Sequence, residues 1–147
     1  MAVTAEVRDR VGWITLDRPP ANSYDAGFLE ELDQAIGQVA EAEVAVAVVR
    51  SASERFFSAG ADIKAFLERS ADDNMVMCRR AHQVLDRFAA EAPLFVAAIA
   101  GHALGGGYEI ALACEKIFLI DDNSSTVALP EVPYVEPSGF LVPLALL

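Results

Sequence analysis

Apolar positions along the chain follow two rhythms, one of alternation and one of helical spacing, broken by turns rich in small residues. "VGWITLD" (Val11–Asp17) reads as a short strand, closed by the two-proline turn "RPPANS". In "DAGFLEELDQAIGQVAEA" the residues Phe28, Leu29, Leu32, Ile36 and Val39 recur at helical spacing, with Asp25 placed to cap the helix. "VAVAVVR" (Val44–Arg50) is a continuous β-branched run, which predicts a strand buried on both faces. A short helix, "DIKAFLER", follows the turn "AGA". A longer helix follows "SADDN" and carries Met75, Leu85 and Phe88. "LFVAAIAG" (Leu94–Gly101) predicts a second buried strand, "GGYEIALAC" a further helix and "KIFLI" a last strand. This order is that of an α/β fold with largely parallel neighbouring strands. No linker or repeat divides residues 1–147, so a single domain is expected.

Composition narrows the possibilities. Hydrophobic residues make up 54% of the 147 positions, enough for a real core. The 22 acidic and 11 basic side chains give a net charge of −11. Such a surface argues against nucleic acid or an anionic membrane as the main partner, although a local pocket can still take a small polyanion. Cys78 and Cys114 stand singly in apolar surroundings without a CxxC, and only two histidines are present, so no metal site is expected. Buried thiols and the lack of a basic-then-apolar N-terminus fit a cytoplasmic protein. The run from Leu94 to Cys114 is apolar, yet it contains His102, three consecutive glycines and Glu109. It reads as strand, turn and helix rather than as a membrane span. The chain stops on "SGFLVPLALL", an apolar run that a soluble domain would expose. The expectation is a shortened chain, or a terminus buried by a partner.

Three segments bear on chemistry. In "SAGAD", Gly60 and Ala61 let the backbone pass close to a ligand, and Asp62 can cap the following helix. The Ala61 N–H would then face outward, where negative charge is favoured. A tight strand-to-helix turn without a ligand accounts for this segment equally well. "GHALGGGYE" is more specific, because three consecutive glycines at a helix entrance imply close approach to the backbone, with Gly106 as a second donor. It is neither a P-loop nor GxGxxG. Glu109 lies just inside that helix among apolar neighbours, a setting that raises a carboxyl pKa and suits acid–base work. "LPEV" places Glu131 after a stiffening proline. Taken alone, a solvated loop explains it as well. Arg18 and Lys64 sit beside the two turns as candidate anion contacts or plain surface charges. His82, His102, Trp13 and the phenylalanines read as packing residues.

"FSAGADIKAF", "AIAGHALGGGYEIALAC" and "LPEV", in that order after the opening "VGWITLDRPPANSYD", resemble the crotonase superfamily of enoyl-CoA hydratases and isomerases. The resemblance runs to about Val132. It implies a spiral of repeated strand–strand–helix units that binds acyl-coenzyme A thioesters. By that likeness Ala61 and Gly106 would form the oxyanion hole, with Ala59, Gly60, Asp62, Ile63, Lys64 and Gly105 around the substrate. Glu109 and Glu131 would share one water, the first as general base and the second as proton donor to Cα. Hydration of a 2-enoyl-CoA is the leading reaction. Isomerisation, thioester hydrolysis or an inactive acyl-CoA-binding module are the alternatives. Coenzyme A would come with the substrate, no separate cofactor is implied, and full-length relatives would assemble as trimers.

The chain also departs from the pattern. Glu115 stands where the family usually has aspartate, and "PYVEPSGF" replaces a glycine-rich turn after Glu131. The C-terminal helices that usually close the acyl pocket are expected to be missing.

Overall fold

The computed structural model describes residues 1–130; Glu131 and the apolar C-terminal run lie outside them. The chain begins with a hairpin that polar alternation hid from the sequence reading. β1 (Val3–Arg8) runs antiparallel to β2 (Val11–Leu16), around a tight turn in which Asp9 and Arg10 take positive φ. Parallel additions follow, of β3 (Val46–Ser51) to β2, of β5 (Leu94–Ile99) to β3 and of β7 (Lys116–Leu119) to β5. The resulting five-stranded sheet has the order β1-β2-β3-β5-β7. A second sheet is built from short parallel strands, β4 (Phe56–Ser58), β6 (His102–Leu104) and β8 (Val127–Ala128). β3, β5 and β7 of the first sheet are thus each followed by a short strand of the second, and the first two of these pairs lead into a helix. This is the strand–strand–helix repeat that the sequence pointed to.

α1 (Ala26–Glu41) buries Phe28, Leu29, Leu32, Ala35, Ile36 and Val39, and Asp25 caps it by accepting from the Phe28 N–H at 2.9 Å. α3 (Ala71–Ala90) buries Met77, Ala81, Val84, Leu85 and Phe88, whereas Met75 is exposed. The two helices are joined by Asp33, whose carboxylate receives Arg87 at 2.6 Å and Arg80 at 2.8 Å.

The expectation that β3 and β5 are buried on both faces is wrong. Both alternate, with Ala47, Val49, Phe95, Ala97 and Ile99 inside, and with Val46, Val48, Val96 and Ala98 only partly covered. Side chains alternate across a strand, and the core lies on one side of this sheet. Trp13 belongs to the opposite, open face and not to the core. It is sandwiched between the guanidinium groups of Arg8 and Arg50, about 5 Å from its ring. The Leu94–Cys114 run resolves into β5, a turn, β6 and a helix. No helix among the described residues is long and apolar enough to cross a membrane.

Candidate functional site

The two glycine turns end neighbouring strands of the small sheet. β4 leads through Ala59–Asp62 into α2 (Ile63–Leu67), and β6 leads through Gly105 into α4 (Gly106–Leu112). Parallel pairing of β4 with β6 therefore brings both helix entrances to one end of the sheet. Gly60 has φ +84°, and a Cβ there would stand 2.9 Å from both the Gly106 nitrogen and the Leu104 carbonyl oxygen.

Accounting for the backbone donors singles out a few. The Ala59 N–H donates to the Ala21 carbonyl, Gly60 to Ser58 Oγ and Asp62 to the Tyr24 carbonyl. The Ala61 N–H lies between them and finds no acceptor among the described residues. In the second turn, Gly105 donates to the Ala128 carbonyl, while Tyr108 and Glu109 donate to the Gly105 carbonyl. Gly106 and Gly107 find no acceptor among the described residues. Buried or half-buried N–H groups without a partner are uncommon, and two adjacent turns that keep them form an anion-binding arrangement. With α2 only five residues long and α4 seven, the individual N–H groups matter more here than any helix dipole.

Close approach to the glycines comes from the protein itself. A Cβ at Gly106 would overlap the Tyr24 ring, and one at Gly107 the Ser58 backbone. Tyr24 is 3% exposed, and its own backbone clasps the first turn: its N–H donates to the Gly60 carbonyl, and its carbonyl accepts from Asp62. One residue thus braces both turns. Asn22 secures the segment before it. With φ +51°, it accepts from the Arg18 N–H at 2.6 Å and donates to the Phe57 carbonyl at 2.9 Å and to Ser51 Oγ at 2.8 Å. Tyr24, Asn22 and Ser58 escaped the sequence reading. The one available signal was an asparagine in a proline turn, a residue type that tolerates positive φ.

Glu109 is 1% exposed, in the first turn of α4, as its apolar flanks predicted. α3 passes beside it: burial and the nearby Glu109 carboxylate push the half-buried Cys78 thiol up. Cys114, fully buried, is pushed up to about 12.

Asp62 caps α2 by accepting from the Lys64 and Ala65 N–H groups. A cavity of about 420 Å³ opens at this turn, lined by Arg18, Ser23, Ala59, Ala61, Ile63 and Lys64 among others. Arg18 is already engaged by Asp25 at 2.7 Å and by the Ser23 carbonyl at 3.0 Å, whereas Lys64 has no ion-pair partner among the described residues. A second cavity of the same size lies against Arg50, Ala98, Phe118 and Ile120 and shares no residue with the two turns. His102 packs its ring edge-on to Phe56, in keeping with a structural role. No cluster of three or more potential metal ligands occurs among the described residues.

Residues 6–141 match the enoyl-CoA hydratase/isomerase family. The chain is 34% identical over 132 residues to a probable enoyl-CoA hydratase of Bacillus subtilis (strain 168), covering 89% of this chain and 50% of that protein. It is 37% identical over 119 residues to carnitinyl-CoA dehydratase of Escherichia coli (strain K12), covering 80% and 44%. Among solved structures, an enoyl-CoA hydratase from Geobacillus kaustophilus HTA426 superposes with a TM-score of 0.86 at 32% identity, over 94% of this chain and 52% of that one. DspI of Pseudomonas aeruginosa gives 0.86 at 32% identity, over 98% and 57%. The chain thus spans about half the length of these relatives. Two braced glycine turns, a buried glutamate and this breadth of likeness have one common reading: the chain belongs to the enoyl-CoA hydratase/isomerase family of the crotonase superfamily.

Proposed function

We propose that this chain carries the thioester site of an enoyl-CoA hydratase, which adds water across the double bond of a 2-enoyl-CoA. The observation that carries the reading is the pair of adjacent turns in which the Ala61 and Gly106 N–H groups lack an acceptor among the described residues. The thioester oxygen is placed between them. When water oxygen adds to Cβ, negative charge moves through the conjugated system onto that oxygen. Donors fixed before the reaction stabilise it without reorganisation, each typically contributing about 3 kcal/mol.

Glu109, 1% exposed among apolar neighbours, serves as general base toward the water. Glu131, outside the described residues, is proposed to deliver its own proton to Cα while Glu109 takes one from the water; proton exchange between the two carboxyls then resets them, so that the elements of one water are added and no cofactor is consumed. Lys64, which lines the neighbouring cavity together with Arg18, is proposed to meet the phosphates of coenzyme A there. In an acidic chain such a local cation counts for more, because the overall field opposes an anionic ligand.

The test has two stages. Calorimetric titration with acetoacetyl-CoA, an enolisable thioester, is expected to show saturable binding that a bulky residue at Gly106 weakens. Loss of crotonyl-CoA absorbance then measures hydration. Binding without turnover would reject the hydratase reading and favour an acyl-CoA-binding module, and no binding by a folded chain would reject both.

A further inference from the structure

We infer that Asn74 is a positioning residue, which holds α2 in place as the wall of the thioester cavity and so sets affinity for the coenzyme part of the substrate. The inference rests on the functional reading above. Its starting point is how little else secures α2. None of its five residues is buried, and Ile63 and Leu67 are 71% and 77% exposed. Its N-terminal end is held by the Asp62 cap and by the clasp of Tyr24 on Gly60 and Asp62. At its C-terminal end Phe66 leans on the core, and Asn74 Nδ2 donates to the Phe66 carbonyl at 2.9 Å. Among the described residues this is the one hydrogen bond that α2 receives from another helix.

The orientation of the Asn74 amide is determined, since a carbonyl only accepts and the nitrogen must face it. Asn74 Oδ1 is then buried without a partner among the described residues. A lone helix-end carbonyl can be satisfied by water or by a residue that leaves nothing orphaned. Stability alone therefore does not explain the choice of asparagine in α3. What the bond does fix is the angle of a short helix whose first turn places Ile63 and Lys64 on the cavity. Release of that end lets α2 swing about Asp62 and takes Lys64 with it, whereas the turn that carries Ala61 stays held by the Tyr24 bonds to Gly60 and Asp62.

The experiment compares the full chain with Asn74→Ala and with the isosteric Asn74→Asp, which cannot donate to a carbonyl when ionised. Affinity is measured for butanoyl-CoA and for butanoyl-pantetheine, which lacks the nucleotide phosphates, alongside thermal unfolding and the infrared stretch of an isotope-labelled thioester carbonyl. Both variants are expected to bind butanoyl-CoA about fivefold more weakly, in line with the loss of one hydrogen bond. They should keep the wild-type affinity for butanoyl-pantetheine and the wild-type carbonyl frequency. In a Lys64→Ala background the Asn74 substitutions should have no further effect, the signature of coupled residues. Unchanged butanoyl-CoA affinity, equal weakening of both thioesters, or additivity with Lys64→Ala would overturn the inference. A wild-type chain that binds neither thioester would overturn the underlying reading instead, a result visible before any variant is made.

Discussion

Gly60 and Gly106 come from separate turns, yet a methyl group on Gly60 would stand 2.9 Å from the Gly106 nitrogen. That approach is the geometric core of the site. It requires glycine twice over at position 60, once for φ +84° and once for the absence of a Cβ. Gly60→Ala is expected to cost about 1–3 kcal/mol and to abolish saturable acyl-CoA binding by the folded protein. Gly101→Ala is the contrast. Its φ is +108° and its Cβ would press on the Arg55 carbonyl in the turn between the sheets. It should lower the melting temperature while the folded fraction binds as wild type does. Thermal melts and titration of both variants decide whether the two glycines separate in this way.

Glu109→Gln keeps shape and hydrogen-bonding capacity at a position that is 1% exposed. The variant is expected to fold and to bind acetoacetyl-CoA. Hydration of crotonyl-CoA should fall by roughly two to four orders of magnitude, the usual contribution of a general base. Undiminished turnover would remove Glu109 from the mechanism.

Acid should loosen the joint between α1 and α3. Burial raises the Asp33 carboxyl, but the hydrogen bonds and charges of Arg87 and Arg80 outweigh this and hold it below its ordinary 3.8. A depressed carboxyl contributes stability that is present above that ordinary value and is lost as pH falls through the lower folded value. Melting temperature should therefore drop more steeply below about pH 4 in the wild type than in Asp33→Asn. At neutral pH Asp33→Asn should itself be less stable, by about 1 kcal/mol. Parallel pH profiles for the two proteins would refute this account of the pair.

The thiols should differ in reactivity. Cys114 is buried and pushed up to about 12, so the folded protein should leave it unmodified by iodoacetamide at pH near 8. Cys78 is half-buried, and burial together with the Glu109 carboxylate keeps it in the less reactive thiol form. Slow labelling at Cys78 alone is expected, faster in Glu109→Gln, where the opposing charge is gone. Mass spectrometry of the labelled peptides gives the answer, and equal rates in the two proteins would place Cys78 away from the carboxylate.

Legibility in the sequence followed the range of the interactions. Asp25 and Asp62 could be read as caps because a cap depends on residues a few positions away, and both do cap. The core face of α1 was legible for the same reason, its apolar residues repeating with the helix. β1, β4, β6 and β8 were not legible as strands. They are short or polar-alternating, and pairing with distant partners decides them. The exposed face of β3 and β5 was misread because a β-branched run looks the same whether one face or two is covered.

By itself the sequence determined the chemistry available: two glycine turns that expose backbone donors, and a glutamate among apolar neighbours. Tertiary structure decided what those residues become. Parallel pairing of β4 and β6 sets the turns side by side, and Tyr24 fills the space that glycine leaves at position 106. Among the N–H groups of residues 59–62, only that of Ala61 keeps no acceptor among the described residues. The physical reason is that hydrogen-bond satisfaction is a property of neighbours in space. A chain read one position at a time can name its donors, but only the fold determines which of them still lack an acceptor.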